Sequence, residues 1–405
     1  MVSTPPPVVL QVGTRWFPEV RGGLERYYYD LVRHLPAAGF EVLGLVLAED
    51  APRAAAPGTE LSAYARRSAS IGQRVWSLRS VARSSLHARH ISLIACHYPL
   101  YGLPISDLMS TTPTVFHFHG PWSAEGQMER NSVAARWTKR CIEQFLYRRP
   151  AAFVVLSRAF GDALARLYHV PEERIFVIPG GVDTARFDIA LDRKAAREAL
   201  HLDAARPTVL TVRRLIRRVG VENLIDGFRA VVQRIPDALL LVGGTGPLQR
   251  DIEDRIAQHA LDGNVRLLGN VADGDLPLLY RAADVSIVPS IALEGFGLTT
   301  VESLACGTPV LVTPVGGLPD VVWDLSPSLV LESSAPHGLA EGLIGFFDGR
   351  LRLPDAEGCS AFARQRFAWP VIAQRVADLY STVLSQQQSL GPAAAGAARN
   401  IVPAP

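Results

Sequence analysis

The sequence predicts an α/β protein made of two doubly wound domains, and three observations carry that prediction. Its 405 residues suffice for two cores at roughly 100–200 residues per domain. Short apolar runs alternate with segments of helical spacing in both halves, and parallel strands require such crossovers. A turn-rich stretch, Pro179-Gly180-Gly181-Val182-Asp183, stands between the two series.

The first half offers strands at Val8–Val12, Val42–Leu47, Ile91–Cys96, Thr114–Phe118, Ala152–Leu156 and Arg174–Ile178. After the first comes a Gly22-Gly23 break, then Leu24, Tyr27, Tyr28, Leu31 and Leu35, whose spacing draws one helix face. Between the second and third, Arg66–His90 holds Arg67, Arg74, Arg79, Arg83 and Arg89 around an apolar stripe of Ile71, Val75, Leu78, Ala82 and Leu86. The stripe is read as packing on the N-terminal sheet. Weak peripheral contact with an anionic membrane is the other use of a basic amphipathic helix. The second half offers Thr208–Val212, Ala238–Val242, Val265–Leu268, Val285–Val288, Val310–Thr313 and Ser328–Leu331 as strands. Val221, Leu224, Ile225, Phe228, Val232 and Ile235 mark a helix between the first two. Phe367-Ala368-Trp369-Pro370 is a break, Val371–Leu384 reads as a last helix, and a Pro/Ala/Gly-rich tail to Pro405 reads as disordered. Ligands of such sheets sit at the carboxyl ends of the strands, and two facing sheets would leave a cleft for a small molecule.

Composition narrows the function. The net charge is +2, from 41 basic and 39 acidic residues, which argues against a dedicated nucleic-acid binder. The charge is uneven: residues 1–186 carry 21 basic and 15 acidic residues, and the rest 20 and 24. Cys96, Cys141, Cys306 and Cys359 lie far apart, without a CxxC pair, so neither a disulfide framework nor a zinc knuckle is expected. The N-terminus reads as no signal peptide and no apolar run approaches a membrane span. The expected location is the cytoplasm, with peripheral contact at the inner membrane face as an option.

The most specific segment is Glu294-Gly295-Phe296-Gly297-Leu298-Thr299-Thr300-Val301-Glu302, which leaves a strand and enters a helix. Gly295 and Gly297 permit close backbone approach, and a helix start offers unpaired N–H groups to an anion. Glu294 is placed to accept hydrogen bonds from sugar hydroxyls. The bland reading of Glu302 is a capping box, Thr299-x-x-Glu302.

Glu294 and Glu302, eight positions apart around Gly-Phe-Gly, resemble the Glu-x7-Glu signature of glycosyltransferase family 4, retaining enzymes of the GT-B fold. The resemblance runs over nearly the whole chain. Phe17-Pro18 with Gly22-Gly23-Leu24-Glu25 is similar to the family's N-terminal glycine loop, and His117-Phe118-His119-Gly120 to its His-Gly loop. Pro179–Asp183 with Phe187 is similar to its hinge, and Ala305–Val310 and Gly316–Asp320 also match.

The resemblance implies two Rossmann-like domains facing across a cleft. Residues 1–185 would bind the acceptor, 186–369 the donor, and a helix at about 370–386 would cross back to the first domain, leaving 387–405 as tail. It implies a nucleotide-diphosphate sugar as donor, a hydroxyl-bearing small molecule or lipid-linked acceptor, no cofactor and no metal. Glu302 would hold the ribose; Glu294 and Gly295, Phe296 and Gly297 would hold the sugar; the N–H groups from Leu298 and Thr299 onward would face the diphosphate. Gly22, Gly23, Gly243, Gly244 and Val271 would line the donor. The acceptor would attack on the face that the diphosphate leaves, so the protein's main task is to stabilise the departing charge.

That task needs cations. Val212–Gly220 matches the family's Gly-Arg-Leu-x-x-x-Lys-Gly segment, with Arg214 at the Arg position, Arg213 in place of Gly and Val219 in place of Lys. Arg217 or Arg218 is expected to supply the missing charge. His119 would contact the transferred sugar, and His117 is expected on the other face of the strand in a structural role. Trp122 and Glu125 are candidate acceptor residues. Asp273-Gly274-Asp275 resembles a metal-binding DxD string but precedes a helix, where acidic residues are ordinary caps. Two alternatives remain: a non-catalytic sugar-nucleotide binder, suggested by Val219, and a sugar-nucleotide epimerase or hydrolase of the same fold. The absent GxGxxG argues against a dehydrogenase.

Overall fold

The computed structural model describes residues 5–52, 56–124 and 132–397. They form two units: 1–156 with 160–178 and 369–405, and 157–159 with 179–368.

The first unit holds strands β1 (Val8–Arg15), β2 (Glu41–Leu47), β3 (Thr59–Ala65), β4 (Leu93–Cys96), β5 (Thr114–Phe118), β6 (Ala152–Val155) and β7 (Ile175–Val177). All pair in parallel, in the order β3-β2-β1-β4-β5-β6-β7. The central strands are buried on both faces, so they read as near-continuous apolar runs, broken by a few buried polar residues such as Gln11 and His117. The edge strand β3 escaped the sequence reading because its solvent-facing residues, such as Glu60 and Ser62, interrupt any such run.

Helices Gly23–His34 and Trp369–Ala397 cover one face of this sheet, where Tyr27, Tyr28, Leu31, Trp369, Ile372, Val376 and Tyr380 share a core. Helices Ile71–Ala88 and Val133–Leu146 cover the other, with Leu78, Ala82, Leu146 and Tyr147 buried. Ile71–Ala88 starts on a capping box between Ser70 and Gln73 and packs through the middle of its stripe, while Ile71 and Trp76 at its start stay exposed. The last helix runs further than 386: residues 387–397, assigned to the tail from sequence, continue it, and 398–405 lie outside the described residues. Four of the eleven residues 387–397 are alanine, the strongest helix former, and they sit beside Gly391, Pro392 and Gly396, which disfavour a helix.

The second unit holds β8 (Thr208–Val212), β9 (Leu239–Gly243), β10 (Val265–Gly269), β11 (Val285–Val288) and β12 (Val310–Val312), parallel in the order β10-β9-β8-β11-β12. The expected strand Ser328–Leu331 is instead a 3-10 turn, Pro327–Leu329, followed by a single bridge from Val330 to Val312. Pro327 starts that turn and Ser326 Oγ accepts from the Ser328 amide, which holds the backbone out of a ladder. The division between units falls after Ile178, ahead of the 185/186 boundary expected from sequence. Val182 explains it: its amide donates to the Phe367 carbonyl at 2.8 Å and it bridges Ala368, which binds the hinge segment to the second unit. No helix among the described residues is long and apolar enough to cross a membrane.

Candidate functional site

In the second unit the strand order reverses between β8 and β11, and a doubly wound sheet binds ligands in the crevice at that point. Two loops leave the carboxyl ends there: Arg213–Val219 after β8 and 289–297 after β11. The second is tightly held. Leu293 has φ 51°, a left-handed conformation rare outside glycine, and Gly297 has φ 75°. The Glu294 carbonyl accepts from the Gly317 amide at 2.9 Å, and a Cβ on Gly316 would collide with that same carbonyl.

Gly297 caps helix Leu298–Ala305 without any side-chain cap. Thr299 therefore lies inside the helix, and Thr299-x-x-Glu302 is not a capping box. Glu302 is instead buried one turn in, and the Tyr280 hydroxyl donates to its carboxylate at 3.2 Å. Burial and the neighbouring Glu302 charge hold the Tyr280 phenol well above its ordinary range, so it stays a donor.

The Glu294 side chain meets Arg213. The Arg213 guanidinium donates to the Glu294 carboxylate, to Ser290 Oγ at 3.1 Å and to Thr299 Oγ1 at 3.1 Å. Ser290 also donates to Glu294 at 3.0 Å. Burial alone would raise the Glu294 pKa, but the Arg213 charge and hydrogen bond, with Arg218 and Ser290, hold it below the ordinary carboxylate value. Arg218 is half-buried and donates to the Leu293 carbonyl at 3.0 Å, so it faces the Glu294 loop. Arg214 and Arg217 are exposed. Val219 lies in the core of the unit. The sequence reading singled out Arg214, Arg217 and Arg218 and passed over Arg213, because it fell where the family has glycine. Its position one residue past the end of β8 was the available signal.

Gly243 and Gly244 sit against this loop. The Arg213 amide donates to the Gly243 carbonyl at 2.8 Å, and a Cβ on Gly244 would strike the Arg213 carbonyl. Val271 lies beside them, 3.0 Å from where a Gly243 Cβ would stand. Asp275 takes the N-cap position of helix Leu276–Ala282, but its side chain makes no capping bond. The Asp273 carbonyl accepts from Arg186. No group of three or more His, Cys, Asp or Glu among the described residues is placed to hold a metal.

The first unit presents a second cluster, at the carboxyl ends of β1, β4 and β5. His119 follows β5 and lies beside His97, which follows β4; His97 Nδ1 and His119 Nε2 are 3.3 Å apart. His117 shares that side of the sheet: Tyr27 lies 5.8 Å from its ring and 5.0 Å from the His119 ring. The expectation of opposite faces is corrected by the two-residue period of a strand, which puts positions i and i+2 on one face. Burial pushes His97 and His117 well below the ordinary imidazole value and His119 down to about 3, so all three rings are neutral. Sequence reasoning missed His97 and Gln11, the latter buried in β1 and 2.7 Å from His97.

Gly22 caps helix Gly23–His34, and Gly23 opens it. A Cβ on Gly22 would strike the carboxylate of Glu25, which is buried and paired with Arg15 at 2.9 Å. Trp122 lies under the Lys139 ammonium, 4.9 Å from its ring centre, and 5.4 Å from Tyr98. Glu125 lies outside the described residues. Glu143, also missed, is buried beneath Trp122-Ser123; it accepts from the Ser123 amide at 3.3 Å, and burial raises its pKa.

Both units thus begin from one strand order, 3-2-1-4-5, with binding groups at the carboxyl ends, and the class this defines is the GT-B glycosyltransferase fold. Sucrose-phosphate synthase of Thermosynechococcus elongatus superposes with a TM-score of 0.76 at 24% identity, over 94% of this chain and all of that one (100%). HepE of Anabaena, solved with UDP and glucose, gives 0.74 at 22% identity, over 93% of this chain and 99% of that one. Residues 192–366 match the family model Glycosyl transferases group 1, and residues 21–186 match Glycosyltransferase Family 4. The lipopolysaccharide core biosynthesis mannosyltransferase LpsB of Rhizobium meliloti is 31% identical over 257 residues, which is 61% of this chain and 69% of that protein. Other curated relatives are matched over 55% and 60% of their length. The chain belongs to glycosyltransferase family 4.

Proposed function

We propose that the chain transfers a sugar from a nucleotide-diphosphate sugar to a hydroxyl acceptor, with retention at the anomeric carbon and without a metal ion. The carrying observation is the junction of Arg213, Glu294 and Thr299 at the switch point of the second unit. It puts a fixed cation, a carboxylate held ionised and the open start of a helix side by side. A helix start with unpaired N–H groups suits a diphosphate, and fixed cations beside it stabilise the charge that builds on the leaving group. Glu302 serves the ribose and Glu294 the sugar hydroxyls. Arg214 and Arg218 flank the diphosphate with Arg213, and this replaces the cation that Val219 cannot supply.

Donor chemistry fits the relatives as well: HepE was solved with UDP and glucose, and LpsB is named as a mannosyltransferase. In the first unit, Trp122, Tyr98 and Lys139 offer an aromatic and cationic surface for the acceptor, and His119 contacts the transferred sugar. Thermal-shift screening against UDP-, GDP-, ADP- and dTDP-sugars tests the donor; at 100 times Kd a bound donor stabilises by about 2.7 kcal/mol. Transfer with the selected donor should persist in EDTA. Loss of transfer that Mn²⁺ or Mg²⁺ restores would instead make Asp273 and Asp275 candidate ligands, and binding without transfer or hydrolysis would leave a non-catalytic binder.

A further inference from the structure

Five hydrogen bonds tie the three histidines of the first unit to Gln11, Tyr27 and Tyr380. Gln11 Nε2 donates to the Tyr380 hydroxyl at 3.1 Å, and Gln11 Oε1 faces His97 Nε2 at 2.7 Å. His97 Nδ1 faces His119 Nε2 at 3.3 Å. On the other branch, His117 Nε2 lies 2.7 Å from the Tyr380 hydroxyl, and His117 Nδ1 lies 3.1 Å from the Tyr27 hydroxyl. Gln11, His97, His117, Tyr27 and Tyr380 are all buried, so no water competes for these atoms.

A neutral imidazole has one donor nitrogen and one acceptor, and a neighbour decides which is which. Gln11 gives its amide hydrogens to Tyr380, so only its carbonyl oxygen faces His97. An oxygen there accepts, so His97 carries its proton on Nε2 and leaves Nδ1 as a lone pair. That lone pair requires a donor opposite, so His119 carries its proton on Nε2. Nδ1 of His119 is then an acceptor, on the ring of the three that is partly exposed. The second branch is compatible with this orientation but is not dictated by it: Tyr380 accepts from Gln11, and with one hydrogen and a second lone pair it can donate to or accept from His117 Nε2. Reversing the Gln11 amide would reverse both bonds of the first branch, from Gln11 to His97 and from His97 to His119. One buried amide therefore governs the His97 and His119 rings.

We infer that Gln11 and His97 form a positioning relay that holds His119 in the Nε2–H tautomer and presents its Nδ1 to a donor hydroxyl of the transferred sugar. The role of His119 toward sugar rests on the proposed function; the relay itself does not. Neither Gln11 nor His97 touches the ligand in this scheme, so each acts only through the proton on His119.

Ring-nitrogen NMR of the full chain, without donor, reads the tautomers directly. The expected spectrum has Nε2–H at His97 and His119. Gln11→Leu removes the governing oxygen; it should leave His119 in mixed tautomers and lower kcat about tenfold, with KM for the donor little changed, the size of one lost hydrogen bond. His97→Leu should act alike. His97→Asn, whose side-chain oxygen can stand where Nδ1 stood, should restore the single tautomer and most of kcat. Near-UV circular dichroism and thermal melts confirm that each variant folds, and the wild-type spectrum is decisive even if one does not. A wild-type His119 protonated on Nδ1, or one indifferent to Gln11→Leu, overturns the relay. A His119 that shifts with Gln11 while kcat stays constant overturns the sugar contact of His119, and so that part of the proposed function, while the relay stands.

Discussion

Replacing Arg213 by methionine removes the guanidinium from a buried junction while keeping much of its length. The two charged side chains there are 9% and 12% exposed, so Glu294 would remain as an unpaired carboxylate in a site that water barely enters. Breaking a buried pair from one side costs about 3–5 kcal/mol. For a unit of this size, at about 2–4 °C per kcal/mol, the melting transition of the second unit should fall by roughly 6–20 °C. Arg213→Met with Glu294→Gln removes both charges and should recover at least half of that loss, a coupling that a double-mutant cycle measures. The pH dependence supplies a second readout. In the wild type, the Glu294 pKa lies below that of the unfolded chain, about 4.3, so its contribution is present above that value and lost as pH falls through the folded one. Without Arg213, only Arg218 and Ser290 still oppose burial, and the folded pKa is expected to rise above that of the unfolded chain. The unfolded chain then binds fewer protons than the folded one, and the variant gains stability as pH falls from 7 toward 5. The gap between variant and wild type should therefore narrow on acidification. Melts of the four proteins of the cycle at pH 7 and pH 5 test all of this. A loss under about 2 °C, additive single variants or a gap independent of pH would refute the reasoning.

Three further outcomes follow from the same geometry. Glu302→Ala should weaken binding of the free nucleoside diphosphate, measured by calorimetry, whereas Glu294→Gln should leave that binding largely intact and lower turnover; identical behaviour of the two would contradict their separate roles. Val219→Lys, which would restore the family cation, should instead destabilise the second unit by several kcal/mol, because Val219 is 3% exposed within the core and a lone ammonium there is desolvated; a thermal melt decides it. His97 and His117 are held neutral, their folded pKa values below the unfolded value of about 6.5, so their contribution is complete above that pH and is lost as pH falls. Urea unfolding between pH 6.5 and 5 should show a loss that approaches about 1.4 kcal/mol per pH unit for each ring toward pH 5, and His117→Gln should flatten the slope by one such share.

What the sequence determined alone is what local periodicity and chain order can encode. Thr114–Phe118, Thr208–Val212 and Val285–Val288 were legible as strands to the residue, because a strand buried on both faces leaves a short, mostly apolar run rich in β-branched and aromatic residues. The stripe beginning at Val221 became helix Val221–Arg234 for the same kind of reason. The order of the motifs was enough to place Glu294, Gly297 and Glu302 around the end of β11. Tertiary structure decided the rest. Ser328–Leu331 has the composition of a strand, but the Pro327–Leu329 turn leaves it a single bridge, Val330 to Val312, on the open edge of β12. Arg213 looked like a departure from pattern until the fold brought Ser290, Glu294 and Thr299 around it, from positions 77 to 86 residues away. Gln11 and Tyr380 are 369 residues apart, and only the parallel register of β1 with its neighbours and the docking of the last helix bring them together. Periodicity is written in successive residues, whereas the partner of a buried polar group is chosen by whichever distant element packs above it.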